Sequence, residues 1–468
     1  MRLRPAVLAC SLALASPLLA ARADEIDSYL EPRLRSLHIP GATLAVVREG
    51  RIVKVRGYGL ANLELGVPAG ERTVYELGST TKQFTAAAVL LLVEEGKIGL
   101  DDPLARFFPR VPQAWHGITV RHLLTHTSGI QDHVAVPGYL KVFRTDLFFE
   151  TTPGLDELVG LFFKLPLEFQ PGETWAYDNT GYILLGRLIE KASGRPYWAF
   201  LEERIFRPLG MTATRSTDPQ PLVPGRAAGY EWVAGAFQNR AVLLPGIAFS
   251  AGALLSTVGD LARWDAALYG EKLLRRSSRE QMWAPARAAD GSPLSFDYGF
   301  GWFLDSYHGH RLVQHSGGTP GFSSAFYRFP DDKLTIALLT NHGDRVLDHL
   351  VVDIAGIVEP SLRRPEGKPD PAPQTTLLVK GLLSDLLRGK PDLARFTGPM
   401  RIFLRTTVGK ALWAWLASLG ELRSVAYSEE ERGPSGRVLR YRVVLGEDPC
   451  WFTVVLAGDG RIAQIRWW

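Results

Sequence analysis

In Tyr75-Glu76-Leu77-Gly78-Ser79-Thr80-Thr81-Lys82-Gln83-Phe84-Thr85 the chain changes character at Gly78. From Thr80 onward Phe84, Ala87, Ala88, Leu91 and Leu92 recur at helical spacing, and Gly96 closes the run, which predicts a helix. Ser79 falls at its N-terminus, with Lys82 one turn further on the same face. Unpaired N–H groups and the helix dipole favour negative charge there. An amine three residues on can take the hydroxyl proton if burial or a cationic neighbour lowers its pKa. Alone, such a pair reads equally as a capping serine followed by an ordinary helix lysine. No other Lys in the chain has a Ser three residues before it, and two companion motifs follow.

The first companion is Tyr177-Asp178-Asn179, after the Pro171-Gly172 turn and before a helical run from Tyr182 through Leu185, Leu188 and Ile189 to Gly194. Tyr177 and Asn179 fall two residues apart in the loop entering that helix, so their side chains can point the same way. A phenol with a lowered pKa can shuttle protons, and an amide can hold both a lysine and a substrate carbonyl. Asn179 as a helix-capping residue is the competing reading. The second companion is His315-Ser316-Gly317-Gly318, on a predicted strand ahead of Ser323 to Phe329 and Leu334 to Thr340. Glycines there let a ligand approach the backbone, as an edge strand does when it offers an N–H to a carbonyl oxygen. His126, in Leu124-Thr125-His126-Thr127-Ser128-Gly129-Ile130, has no metal-ligand spacing around it and reads as a hydrogen-bonded loop residue.

Upstream, Met1 to Ala23 reads as a secretory signal: Arg2 and Arg4, an apolar Ala6 to Ala20, and Ala21-Arg22-Ala23 as the cleavage site. Its loss would remove Cys10 and leave Cys450 alone, so no internal disulfide or Cys-based metal site is expected. The destination is the bacterial envelope, with no transmembrane segment after signal removal. Asp24 to His38 is an expected helix, followed by a hairpin of Ala42 to Val47 and Ile52 to Val55 around Glu49-Gly50. Pro137 to Gly172 reads as an aromatic loop region suited to a pocket rim. The 468 residues suggest two domains, the 46% hydrophobic content a large core, and a net charge of +4 with scattered basic residues no nucleic-acid partner.

The three motifs, in this order and spacing, resemble those of the serine beta-lactamase and penicillin-binding-protein superfamily, in its beta-lactamase-related (class C-like) branch. The resemblance covers Ile26 to Val358. It implies an α+β catalytic domain, a three-layer arrangement with an antiparallel sheet plus a helical subdomain, over residues 24–359. It implies Ser79 as acylated nucleophile, Lys82 and Tyr177 sharing base and acid work, and Asn179 positioning substrate. The N–H groups of Ser79 and Gly318, beside Gly317, would form the oxyanion hole. The implied substrate is a small molecule or peptide, with no cofactor and no metal. The third motif departs from the family pattern, since His315 stands where a lysine is usual. A partly charged imidazole there favours esters or other peptides over penicillins. D,D-carboxypeptidase activity, class C-type beta-lactamase activity and a non-catalytic penicillin sensor remain the alternatives. No G-x-S-x-G elbow occurs in the chain, which argues against a Ser-His-Asp site on an α/β-hydrolase fold.

Pro360 to Gln374 is rich in proline and charge, so residues 360–375 read as a linker. Beyond it, over 376–468, Thr376 to Leu387 and Lys410 to Leu419 are expected helices. Arg437 to Leu445, Trp451 to Leu456 and Ile462 to Trp467 are expected strands. The result is a second, small α+β domain whose pattern is similar to cone-shaped nuclear-transport-factor-like folds. Trp413, Trp415, Trp451, Trp467 and Trp468 read as packing residues. With every motif upstream of the linker, this part is expected to be dispensable for reaction with a small ester.

Overall fold

The computed structural model describes residues 17–135, 155–240, 245–343, 347–363, 370–446 and 448–467. Helix α1 (Pro17–Ser36) starts before the expected Asp24 and stops short of His38, whose φ of 53° ends it. The expected hairpin follows as β1 (Gly41–Arg48) and β2 (Arg51–Asn62), turning through Glu49 and Gly50 with φ of 52° and 72°. Strand β3 (Val67–Pro68) borders it. The rest of the sheet comes from much later in the chain, as β4 (Phe303–Tyr307), β5 (His310–Thr319), β6 (Phe322–Phe329) and β7 (Leu334–Thr340). The seven strands run in the order β3-β2-β1-β7-β6-β5-β4. The N-terminal hairpin joins the later strands through antiparallel pairs from Ala42↔Thr340 to Arg48↔Leu334.

β6 and β7 are buried at every residue, and β1 at all but Arg48, so helices cover both faces. On one face α1 and a late helix (Asp348–Val358) meet the sheet through Leu30, Leu34, Leu44, Leu338, Leu350 and Ile354. Each such buried aliphatic side chain is worth about 1.5–3 kcal/mol. On the other face lies the helical part, built on α2 (Lys82–Glu94), α3 (Asn179–Ser193) and α4 (Val258–Ala267). Every α2 residue from Lys82 to Leu92 is buried, which makes it the central helix of this part. The late helix is α5 and completes the three layers.

The irregular region expected over Pro137 to Gly172 contains a helix, Leu155–Phe162. Leu155, Leu158, Val159 and Phe162 give it an apolar face. Residues 136–154 lie outside the described residues.

Past Pro360 the expected linker opens on a 3-10 turn at Pro360–Leu362, residues 364–369 lie outside the described residues, and α6 (Pro373–Leu387) begins inside its expected range. Then come α7 (Gly398–Phe403), α8 (Thr407–Ser418) and a four-stranded antiparallel sheet. Its strands β8 (Leu422–Gly433), β9 (Gly436–Leu445), β10 (Asp448–Leu456) and β11 (Ile462–Trp467) lie in chain order. β8 was not expected, because Glu429-Glu430-Glu431-Arg432 and a register shift at Tyr427/Glu429 break its alternation. One apolar cluster mixes both parts of the molecule, joining Phe169, Trp175, Leu294 and Tyr298 to Phe396, Phe403, Tyr441 and Phe452. Trp413 and Trp467 pack against that cluster, whereas Trp415 is exposed. Trp468 lies outside the described residues. Among the described residues no helix is long and apolar enough to cross a membrane.

Candidate active site

Gly78–Thr81 form a 3-10 turn that runs directly into α2. Its residues are buried except Ser79, so the hydroxyl alone is presented. The turn is tied to the sheet: Ser324 Oγ donates to Leu77 O at 2.7 Å and lies 2.9 Å from Thr80 Oγ1. Backbone meets backbone at the glycines. A Cβ on Gly317 would lie 2.0 Å from Leu77 O and 2.7 Å from Ser79 N, and one on Gly78 (φ 52°) 2.7 Å from Gly318 N. Only glycine allows that approach, and it brings the N–H groups of Ser79 and Gly318 to one junction. The strand is not the sheet edge that the sequence suggested, because β4 lies outside it. β4 pairs only with His310 to Gln314, however, so β5 is uncovered on that side from His315 onward.

Lys82 is fully buried, and its Nζ stands 3.1 Å from Ser79 Oγ, 2.8 Å from Asn179 Oδ1 and 2.8 Å from Ala251 O. Burial lowers its pKa to about 7, against a partial pull upward from Asp132 and Asp178. The lowering follows the sequence reading, but these two carboxylates were not foreseen. Burial pushes both carboxyls above their ordinary range, so they compensate an ammonium only weakly. Asn179 Oδ1 and Ala251 O can only accept and take two of its N–H groups; once Lys82 is neutral, its lone pair is left for the Ser79 hydroxyl. The amide's orientation is fixed from its other end, where Asn179 Nδ2 donates to Asp132 Oδ2 at 3.0 Å.

Asn179 is the first residue of α3, and Asp178 is the cap, its Oδ1 accepting from Gly181 N at 2.7 Å. The capping role considered for Asn179 therefore belongs to its neighbour. Asp178 is extended (φ −149°, ψ 114°), which turns Tyr177 and Asn179 to the same side. Tyr177 lies under Lys82, with Nζ 4.8 Å from the ring centroid. Its hydroxyl approaches Ser79 and has no other hydrogen-bond partner among the described residues. The lowered phenol pKa expected from the motif is not found. Burial raises it above the ordinary tyrosine value, so Tyr177 rests as a protonated phenol.

The Ala251 carbonyl comes from a strained turn. Phe249 has φ 34° and ψ −125°, a conformation costing a non-glycine residue about 1–3 kcal/mol. It is held by α3, where a Cβ on Gly186 would lie 2.1 Å from Ser250 Oγ, and by Ser250 Oγ donating to Tyr182 O at 2.8 Å.

His315 is buried rather than standing at the mouth. Its Nδ1 donates to Ser316 O at 2.6 Å, and its Nε2 accepts from Tyr298 OH at 3.0 Å. Burial, then the nearby Lys82, lower its pKa to about 3. The partly charged imidazole expected from sequence is thus a neutral one. His126, as expected, is a support: its Nδ1 accepts from Asp178 N at 3.2 Å, and its ring packs 4.5 Å from Tyr177 and 4.7 Å from Tyr298. Sequence reasoning missed Asp132, Tyr298 and the Ala251 carbonyl. Asp132 lies two residues past the Leu124-to-Ile130 stretch already quoted, but a backbone carbonyl leaves no side-chain signal. Among the described residues no cluster of His, Cys, Asp and Glu fits a metal ion.

Comparison with known proteins puts this architecture in the serine beta-lactamase and penicillin-binding-protein superfamily. Within it, the chain belongs to the Beta-lactamase family, whose profile matches residues 26–355. It is 35% identical over 321 residues to penicillin-binding protein 4* of Bacillus subtilis (strain 168), covering 65% of this chain and 68% of that one. A D-amino acid amidase from Ochrobactrum anthropi SV3, in complex with L-phenylalanine amide, superposes with a TM-score of 0.61 at 26% identity, covering 74% of this chain and 98% of the amidase. The octameric penicillin-binding protein homologue from Pyrococcus abyssi shares the fold over 93% of this chain and 96% of its own, with a TM-score of 0.62 at 22% identity.

Proposed function

We propose that the chain is a serine hydrolase of the bacterial envelope, exported through residues 1–23, that transfers an acyl group to Ser79 and then to water. One observation carries this reading: Lys82 Nζ lies 3.1 Å from Ser79 Oγ while its other two neighbours are obligate acceptors. Neutral Lys82 takes the hydroxyl proton as Ser79 Oγ attacks the substrate carbonyl carbon. The N–H groups of Ser79 and Gly318 receive the developing oxyanion. Tyr177, protonated at rest and otherwise unpartnered among the described residues, gives a proton to the leaving group and is reprotonated through Lys82. In deacylation the same groups activate water.

The substrates are esters or amides, D-amino-acid amides and peptides among them. Neutral His315 offers no charge to a substrate carboxylate. The similarity to a D-amino acid amidase supports the same choice. Turnover of penicillins, D,D-carboxypeptidase activity and penicillin sensing without turnover are the other readings. Steady-state hydrolysis of p-nitrophenyl acetate, D-phenylalanine amide, its N-acetyl derivative and nitrocefin decides among them. The ester and the amides should be cleaved faster than nitrocefin. Nitrocefin hydrolysed faster than the ester and both amides would overturn the substrate choice, and acylation by nitrocefin without turnover would make the protein a sensor.

A further inference from the structure

We infer that the C-terminal unit is a positioning element of the catalytic site, holding in place the two segments that present Tyr177 and Tyr298. The inference rests on the hydrolase reading above. The catalytic part has two apolar cores of its own, one on each face of its sheet. The cluster it shares with the C-terminal unit instead draws on the segments beside the site, through Trp175, Ala176, Leu294 and Tyr298.

The grips are specific. Thr174 Oγ1 donates to Pro399 O in α7 at 2.7 Å, and the Trp175 ring packs on Phe403 of α7, 6.2 Å between centroids. From β11, Gln464 Nε2 donates to Leu294 O at 3.1 Å and Arg466 Nη2 binds Asp297 Oδ2 at 2.8 Å. The two gripped segments are bonded to each other by Ser295 Oγ donating to Trp175 O at 2.8 Å. Each then runs directly into the site. Thr174 is three residues from Tyr177, and Asp297 adjoins Tyr298, whose hydroxyl holds His315. A displacement at either grip has no slack to absorb it before reaching the Tyr177 phenol. An error of about 1 Å in such a group costs up to about a hundredfold in rate.

Thr174→Val and Phe403→Leu, each in the full chain, remove one grip with little change of volume. Single-turnover acylation of Ser79 by p-nitrophenyl acetate is measured across pH, together with the urea midpoint and hydrogen exchange at Ala176 and Asp178. Those amides donate to His126 O at 3.0 Å and His126 Nδ1 at 3.2 Å. The expected result is acylation slowed about tenfold or more, with a retained cooperative fold, faster exchange at both amides, and recovery in Thr174→Ser. Acylation at the wild-type rate in both variants would overturn the inference. If one variant fails to fold, the other decides. If wild type itself does not react, the hydrolase reading fails separately. Exchange then decides the positioning claim, and unchanged protection at both amides overturns it.

Discussion

At the scale of single residues, the site works by withholding charge. Lys82 in the unfolded chain keeps its proton up to about 10.4, whereas in the folded protein it loses it near 7. Between those values the unfolded state binds the extra proton, so stability rises with pH across that window. Urea midpoints from pH 7 to 10 should climb in wild type and less steeply in Lys82→Met. The same lowered value predicts an acidic limb near pH 7 in kcat/KM for ester hydrolysis, displaced or abolished in Lys82→Arg. His315, depressed to about 3, adds no limb at neutral pH. Its cost to stability appears only as pH falls from about 6.5 toward 3. His315→Gln should therefore leave the limb near 7 where it is. A limb that moved with His315 and not with Lys82 would reverse the assignment of the base. The grouping of Ser79, Lys82, Tyr177 and Asn179 was legible in the motifs because each carries polar chemistry in its side chain. The protonation of Tyr177 and His315 was not, since burial sets it and spacing says nothing of burial.

Among the elements, the periodic ones were legible: α2, the β1–β2 hairpin and the strands β6 and β7 each announce themselves by regular apolar spacing. β8 and the turn at Phe249 were not, because charge in one and strain in the other override local pattern. Both helix-to-sheet and helix-to-turn contacts are open to test. Asp265 of α4 binds Arg328 of β6, Oδ1 to Nε at 2.7 Å, with both side chains buried. Arg328 Nη1 and Nη2 have no hydrogen-bond partner among the described residues. Asp265→Ala would take away that guanidinium's carboxylate and leave it only the Tyr269, Trp283 and Trp302 rings, and should cost about 3–5 kcal/mol, read as a lowered urea midpoint. In α3, Gly186→Ala would ordinarily gain about 1 kcal/mol of helix propensity. Here the added methyl collides with Ser250, and overpacking costs about 1–3 kcal/mol. Pushing that turn away moves Ala251 O off Lys82, so the variant should lose acylation rate as well as stability. A stabilised, fully active Gly186→Ala would contradict the packing described for the turn.

For the whole molecule, the proline-rich stretch after Pro360 reads as a boundary in the sequence, but one apolar cluster spans it. Truncation after Pro360, expected from sequence to be harmless, would expose Trp175, Leu294 and Tyr298. It would also strand Asp297 and Asp305 without Arg466, which binds both carboxylates. The truncated chain should be poorly soluble or lack a cooperative urea transition; a soluble, cooperative and fully reactive fragment would contradict this. Sequence could not reveal the sharing, because pattern shows that a residue is buried without naming the unit that buries it. The claim on which the rest depends is the covalent one. Intact-mass analysis of the rapidly quenched protein with p-nitrophenyl acetate tests it most directly. One acetyl group should be found, on the peptide carrying Ser79. It should be absent from Ser79→Ala, whose turnover falls by roughly 10⁴-fold or more. An acetyl group on another residue, or unchanged turnover by Ser79→Ala, would contradict the account.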